Sequence, residues 1–105
     1  MRFDIVLAPG AVEAMRKLPA NIRSQVRDAL ERHLRKEPAK VSRSRIKRLK
    51  GLSRPQYRLR VDEIRVFYDV KETAVEVVAI VTKAEAEAWL QRKGKAAAGG
   101  GTGRG

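Results

Sequence analysis

The apolar positions of this chain change period along its length, and each change predicts a different element. Phe3 to Leu7 is a short apolar-rich run closed by Pro9-Gly10, which predicts a first strand. Val12, Met15 and Leu18 then recur at helical spacing, with Pro9 suited to a first helical turn and Pro19 to a stop. From Asn21 to Glu37, residues Ile22, Val26, Leu30 and Leu34 fall on one stripe of a longer helix. Asn21 is its expected N-cap and Pro38 its end. Residues 39–53 predict a loop or short strand. Three segments with strand spacing follow, Gln56–Val61, Ile64–Val70 and Val75–Val81, separated by Asp62-Glu63 and by Lys71-Glu72-Thr73. Lys83 to Lys93 reads as a closing helix, with Trp89 and Leu90 to pack.

The order β-α-α-β-β-β-α predicts an α+β domain over residues 1–93, with a helical hairpin and the closing helix packed on one face of a mostly antiparallel sheet. The remaining residues, 94–105, form a Gly- and Ala-rich tail that is expected to be disordered. If Asp62-Glu63 is a two-residue turn, Val61 pairs with Ile64, Arg60 with Arg65, Leu59 with Val66 and Arg58 with Phe67. Alternation then turns Leu59, Val61, Ile64 and Val66 toward the helices. It leaves Arg58, Arg60, Arg65 and Phe67 on the opposite face. Tyr57 and Tyr68 face each other on the core side, where packing is their expected role.

Composition narrows the partners. The chain has 24 Lys and Arg against 12 Asp and Glu, a formal net charge of +12, which favours polyanions and salt-sensitive association. Nine of those cations lie between Glu37 and Asp62 without one acid among them. There is no cysteine and one histidine, so disulfides, thiolate chemistry and His-pair metal sites are excluded. No metal or cofactor is expected. His33 lies beside the apolar stripe and reads as a helix-face residue. No apolar run is long enough to span a membrane, and the N-terminus lacks a signal-peptide core. A cytoplasmic protein without membrane contact is the expectation.

The basic run feeds directly into the hairpin, so its arginines are held on an ordered face. Arginine presents a planar fork that matches phosphate oxygens in pairs, and Phe67 beside it offers a surface for a base. Lys47, Arg48, Lys50, Arg54 and Phe67 are the candidate RNA contacts. Arg58, Arg60 and Arg65 are the candidate catalytic cations, able to stabilise charge gained at phosphorus; Lys83, a cation near the start of the closing helix where the dipole disfavours one, is a further site candidate.

Three segments carry a family resemblance: Arg48-Leu49-Lys50-Gly51-Leu52, Tyr57-Arg58-Leu59-Arg60-Val61 and Ile64-Arg65-Val66-Phe67-Tyr68-Asp69-Val70. With the opening helix before Pro19, they resemble the RelE/ParE superfamily of type II toxin–antitoxin toxins over residues 1 to about 92. The RelE branch implies a ribosome-dependent mRNA endonuclease that uses the 2′-hydroxyl as nucleophile. The ParE branch implies a non-enzymatic inhibitor of DNA gyrase. Both imply an acidic cognate antitoxin; the ribosome and mRNA, or gyrase, would be the target. By position, Arg58 and Arg60 match the first-strand cations, Arg65 the second-strand arginine and Lys83 the first basic residue after the last strand. The arginine and tyrosine usual further on are Ala84 and Leu90 here. That leaves three alternatives: a weak nuclease resting on Arg58, Arg60, Arg65 and Lys83 as electrostatic stabilisers, a proton acceptor supplied by Tyr57 or Tyr68, or no nuclease at all.

Overall fold

A computed structural model describes residues 2–96. Strand β1 (Asp4–Leu7) leads into α1 (Pro9–Lys17) and α2 (Ala20–Ala29), which a π-helical turn continues over Leu30–Leu34. Next come β2 (Ile46–Arg48), β3 (Leu52–Arg54), β4 (Tyr57–Val61), β5 (Ile64–Val70) and β6 (Ala74–Thr82). The described chain closes with α3 (Lys83–Lys93) and β7 (Lys95–Ala96). The main sheet has the order β1-β6-β5-β4-β2; only β1 and β6 are parallel.

The β4–β5 register is the one that a two-residue turn dictates: Val61↔Ile64, Arg60↔Arg65, Leu59↔Val66, Arg58↔Phe67 and Tyr57↔Tyr68. Asp62 opens the turn in the left-handed region, at φ 54°, a conformation Asp tolerates better than most residues. Leu59, Val66, Val26 and Leu30 lie in one buried cluster beneath the helical hairpin. Tyr68 is fully buried in the same cluster and stacks on Tyr57, with ring centroids 5.5 Å apart.

The helices depart from expectation in two ways. Asn21 does not cap α2: the helix begins at Ala20, with Pro19 in the cap position, and the Pro19 carbonyl accepts from the Arg23 amide at 2.8 Å. More consequentially, the helices do not all share one face. The helical hairpin covers the Leu59–Val66 side, while α3 lies across the other side, where Trp89 stacks on Phe67 at 5.2 Å. Thr82 sets the start of α3 through a capping box: its Oγ1 accepts from the Glu85 amide at 3.2 Å, and Glu85 Oε1 accepts from the Thr82 amide at 3.1 Å. The Lys83 amide donates to the Glu63 carbonyl at 2.7 Å, which ties that start to the β4–β5 turn.

The tail expected from Gly94 is not wholly unstructured, because Lys95–Ala96 pairs with β3 as a second, two-stranded sheet. Gly94 permits the reversal: a Cβ there would sit 2.5 Å from the Leu90 carbonyl oxygen. The rest of the tail, 97–105, lies outside the described residues.

One side chain clasps the helical hairpin. Arg23 donates from Nε to the Met15 carbonyl at 3.1 Å, and from Nη2 to the Leu18 and Arg16 carbonyls at 2.8 and 3.3 Å. The Met15 carbonyl also accepts from the Leu18 amide at 3.2 Å, so Arg23 adds to that cap and answers the Arg16 and Leu18 carbonyls at the end of α1. Replacing Arg23 with Ala should therefore cost about 1.5–3 kcal/mol of unfolding free energy. Chemical denaturation would measure this as a lower midpoint at an unchanged slope.

Candidate functional site

The strand alternation does gather cations on the face opposite the helical hairpin, but α3 then decides which of them reach solvent. Between α3 and strands β2, β4 and β5 lies a cleft of about 330 Å3. Its lining includes Lys47, Arg58, Arg65 and Lys83. Lys47 is there because β2 pairs with β4 in the register Lys47↔Arg58, which puts both side chains on one face. Lys83 is there because the capping box and the Glu63 contact hold the first turn of α3 over the hairpin.

Arg58 forms the floor. It is half-buried, and its Nε is enclosed with no hydrogen-bond partner. Burial, and then the neighbouring charges of Arg65 and Arg60, push its guanidinium below the ordinary arginine range. A cation held away from water and beside like charges, with one donor unpaired, is stabilised by any anion that enters.

Arg65 is placed differently from expectation. It stands on the predicted face but is only 7% exposed, and its Nη1 donates to the Asp62 and Ile64 carbonyls at 2.7 and 3.1 Å. Those bonds offset its position directly across from Arg60, a like-charge pair that would otherwise destabilise the hairpin. Arg65 thus serves the turn as well as the cleft, so an Arg65→Ala change is not structurally silent. Arg60 is exposed and lines a separate recess with Ser44, Arg45 and Asp62.

The candidate RNA contacts also divide. Lys47 lines the cleft, and Lys50 an adjoining hollow that also takes in Leu90 and Ala96. Arg48 is on the helix side of the sheet: its guanidinium carbon lies 5.3 Å from the Tyr57 ring centroid, and Nη1 donates to the Gln56 carbonyl at 2.8 Å. Arg54 is engaged by acids, with Nε 3.5 Å from Asp69 Oδ2 and Nη2 3.4 Å from Glu76 Oε1. Phe67 is fully buried beneath Trp89, which corrects its reading as a face for a stacked base.

Neither tyrosine supplies the missing proton acceptor. The Tyr68 hydroxyl donates to the Pro38 carbonyl at 2.6 Å on the helix side, and burial pushes its pKa well above the ordinary phenol value. Tyr57 stacks against it there. The carboxylate that does line the cleft is Glu87, one turn along α3 from Lys83. Glu87 is not among the residues that the sequence singles out. The i to i+4 spacing from Lys83 was the signal that could have found it. Among the described residues, no three His, Asp or Glu side chains form a group that could hold a metal.

A family model for the ParE toxin of the type II toxin–antitoxin system parDE matches residues 5–87. The chain belongs to that family. Solved structures carry the same fold. The free E. coli toxin RelE, in a substituted form, superposes with a TM-score of 0.65 at 20% identity, over 89% of this chain and 99% of that one. The toxin–antitoxin complex RelBE2 of Mycobacterium tuberculosis gives 0.60 at 21%, over 78% and 99%. The YoeB dimer of Staphylococcus aureus gives 0.56 at 18%, over 77% and 97%. No curated protein matches in sequence. The protein is thus a toxin of a type II toxin–antitoxin system within the RelE/ParE superfamily. No described helix of this toxin is long and apolar enough to cross a membrane.

Because α3 buries no residue fully, the Trp89–Phe67 stack is its main hold on the sheet. Trp89→Ala should cost about 0.5–1.5 kcal/mol beyond the lost burial. Amide exchange would accelerate in α3 and at Arg65 and Phe67, while Leu59 and Val66 stay protected.

Proposed function

We propose that this toxin is a ribosome-dependent mRNA endonuclease and that the cleft beneath α3 takes the scissile phosphodiester. The observation that carries the reading is Arg58, half-buried on the cleft floor with an unpartnered Nε and other cations around it. Cleavage through the 2′-hydroxyl adds negative charge to the phosphorus oxygens in the transition state. Fixed cations in a partly desolvated cleft favour that state over the diester that precedes it. Glu87 is the group on the lining that can take the 2′-hydroxyl proton; arginine, ionised at any working pH, is a poor base. Lys83 and Lys47 complete the anion cradle from opposite walls.

The test is cleavage of ribosome-bound mRNA by purified toxin. Arg58→Ala should slow it about a hundred- to a thousandfold, the loss of one transition-state donor. Glu87→Gln should slow it about a hundred- to ten-thousandfold while leaving RNA affinity in place. Lys83→Ala should have a smaller effect. Wild-type rates in Arg58→Ala would sink the site.

Three observations favour the second reading, a ParE-like inhibitor of DNA gyrase: the family model that matches is that of the ParE toxin, Phe67 is sealed under Trp89, and Arg65 is turned into its own hairpin. Growth arrest with intact mRNA and blocked supercoiling would establish it. On either reading an acidic antitoxin segment covers the cationic surface, meeting Arg60 and Lys47 more readily than the buried Arg65. The affinity of that complex should fall as salt rises. An affinity indifferent to salt would count against electrostatic capture.

A further inference from the structure

A second cationic recess lies away from the cleft, where the end of the helical hairpin meets the loop before β2. Its volume is about 340 Å3, and Arg32, Lys36, Lys40 and Arg45 line it against a single acid, Glu37. The π-helical turn supplies Arg32 and His33, with Lys36 just beyond. The loop supplies Lys40 and Arg45, and its path is held by several bonds. Tyr68 Oη donates to the Pro38 carbonyl at 2.6 Å, and Ser42 Oγ accepts from the amides of Arg45 and Ile46 at 3.0 and 3.1 Å.

Two of the four cations are already answered. Arg32 pairs with Asp28 at 3.4 Å and Lys40 with Glu37 at 3.7 Å. Lys36 and Arg45 have no carboxylate partner among the described residues. At the centre is His33, half-buried, whose pKa is lowered by burial and by the charges of Arg45 and Arg32, against a smaller opposing pull from Asp28. Helix-borne Arg32 and loop-borne Arg45 thus both act on His33, and Lys36 and Lys40 line the same recess. Arg45 also lines the recess that contains Arg60, and the Arg60 amide donates to the Arg45 carbonyl at 2.9 Å. A basic path thus runs from the end of α2 over the β2 edge to the tip of the β4–β5 hairpin.

We infer that this recess, where Lys36 and Arg45 stand unpaired around His33, is a backbone-phosphate contact for a single-stranded RNA whose chain continues past Arg60 toward the cleft. The choice of RNA rests on the nuclease reading; the phosphate chemistry of the recess does not. Its role is to hold and orient the strand, since phosphate contacts position without reading sequence.

The experiment measures binding alone, so it can succeed even if cleavage is never found. The full chain is titrated with a short single-stranded RNA oligonucleotide at several salt concentrations, and the His33 ring is followed by NMR. With one histidine in the chain, the signal is unambiguous. Binding should move the His33 titration midpoint upward, because a nearby phosphate offsets Arg45 and Arg32. The K36A/R45A double variant should bind several-fold more weakly and lose that shift. Its log K against log salt slope should flatten by about 1.4, the value for two single-strand phosphate contacts. A control that removes two exposed charges from α1, R16A/K17A, should keep both the shift and the slope. Equal losses in the two variants would overturn the proposal as general charge reduction. An unmoved His33 would overturn it outright, and a response to duplex DNA but not to the RNA would overturn the identity of the strand.

Discussion

Strand β5 runs through the middle of the main sheet with both faces covered, and every residue from Ile64 to Asp69 is buried. Isolated hairpins are marginal in water; this one is stable because helices close over it on each side. The helical hairpin takes Ile64, Val66 and Tyr68, and α3 takes Phe67. Covering the second face brings polar groups in with the apolar ones, and each has to be answered. Arg65 finds the carbonyls of its own turn. Asp69, pushed up by burial, accepts from the Gln56 amide at 2.8 Å and faces Arg54.

That covering also determines what the cationic surface can do. An uncovered sheet face would present its arginines to water, where screening leaves each with little to offer a ligand. Under α3, Arg58 is partly withdrawn from water and lacks a partner for Nε, so an arriving phosphate meets an unsatisfied donor in a setting of reduced dielectric. The same helix that creates this strength narrows access and seals Phe67. Affinity for charge rises while stacking is lost.

Charge count alone was a poor guide to which cations matter. Of the basic residues between Glu37 and Asp62, Lys47 and Arg58 share the cleft, Arg48 lies over Tyr57, Arg54 is held by Asp69 and Glu76, and Arg45 belongs to a different recess. Strand parity separates Lys47 from Arg48, and the carboxylates that engage Arg54 come from strands later in the chain. None of this follows from the basic run read as a run.

The sequence by itself determined the order of the larger elements, the helical hairpin, the β4–β5 register and the family resemblance, but not the small β3–β7 sheet. These rest on local rules: side chains alternate along a strand, a two-residue turn has one pairing, and proline ends helices. Tertiary structure decided the rest. In β6 the residues reaching the core are Val75, Val77 and Ile80, because a register shift opposite Phe67–Tyr68 breaks the alternation. No periodicity marks that shift. Placing α3 on the second face required Trp89 to meet Phe67, two residues twenty-two positions apart whose stacking no local spacing encodes. The turn carbonyls that take up Arg65, and the approach of Glu87 to the cleft, follow from that one placement, since burial is a property of neighbours and not of sequence position.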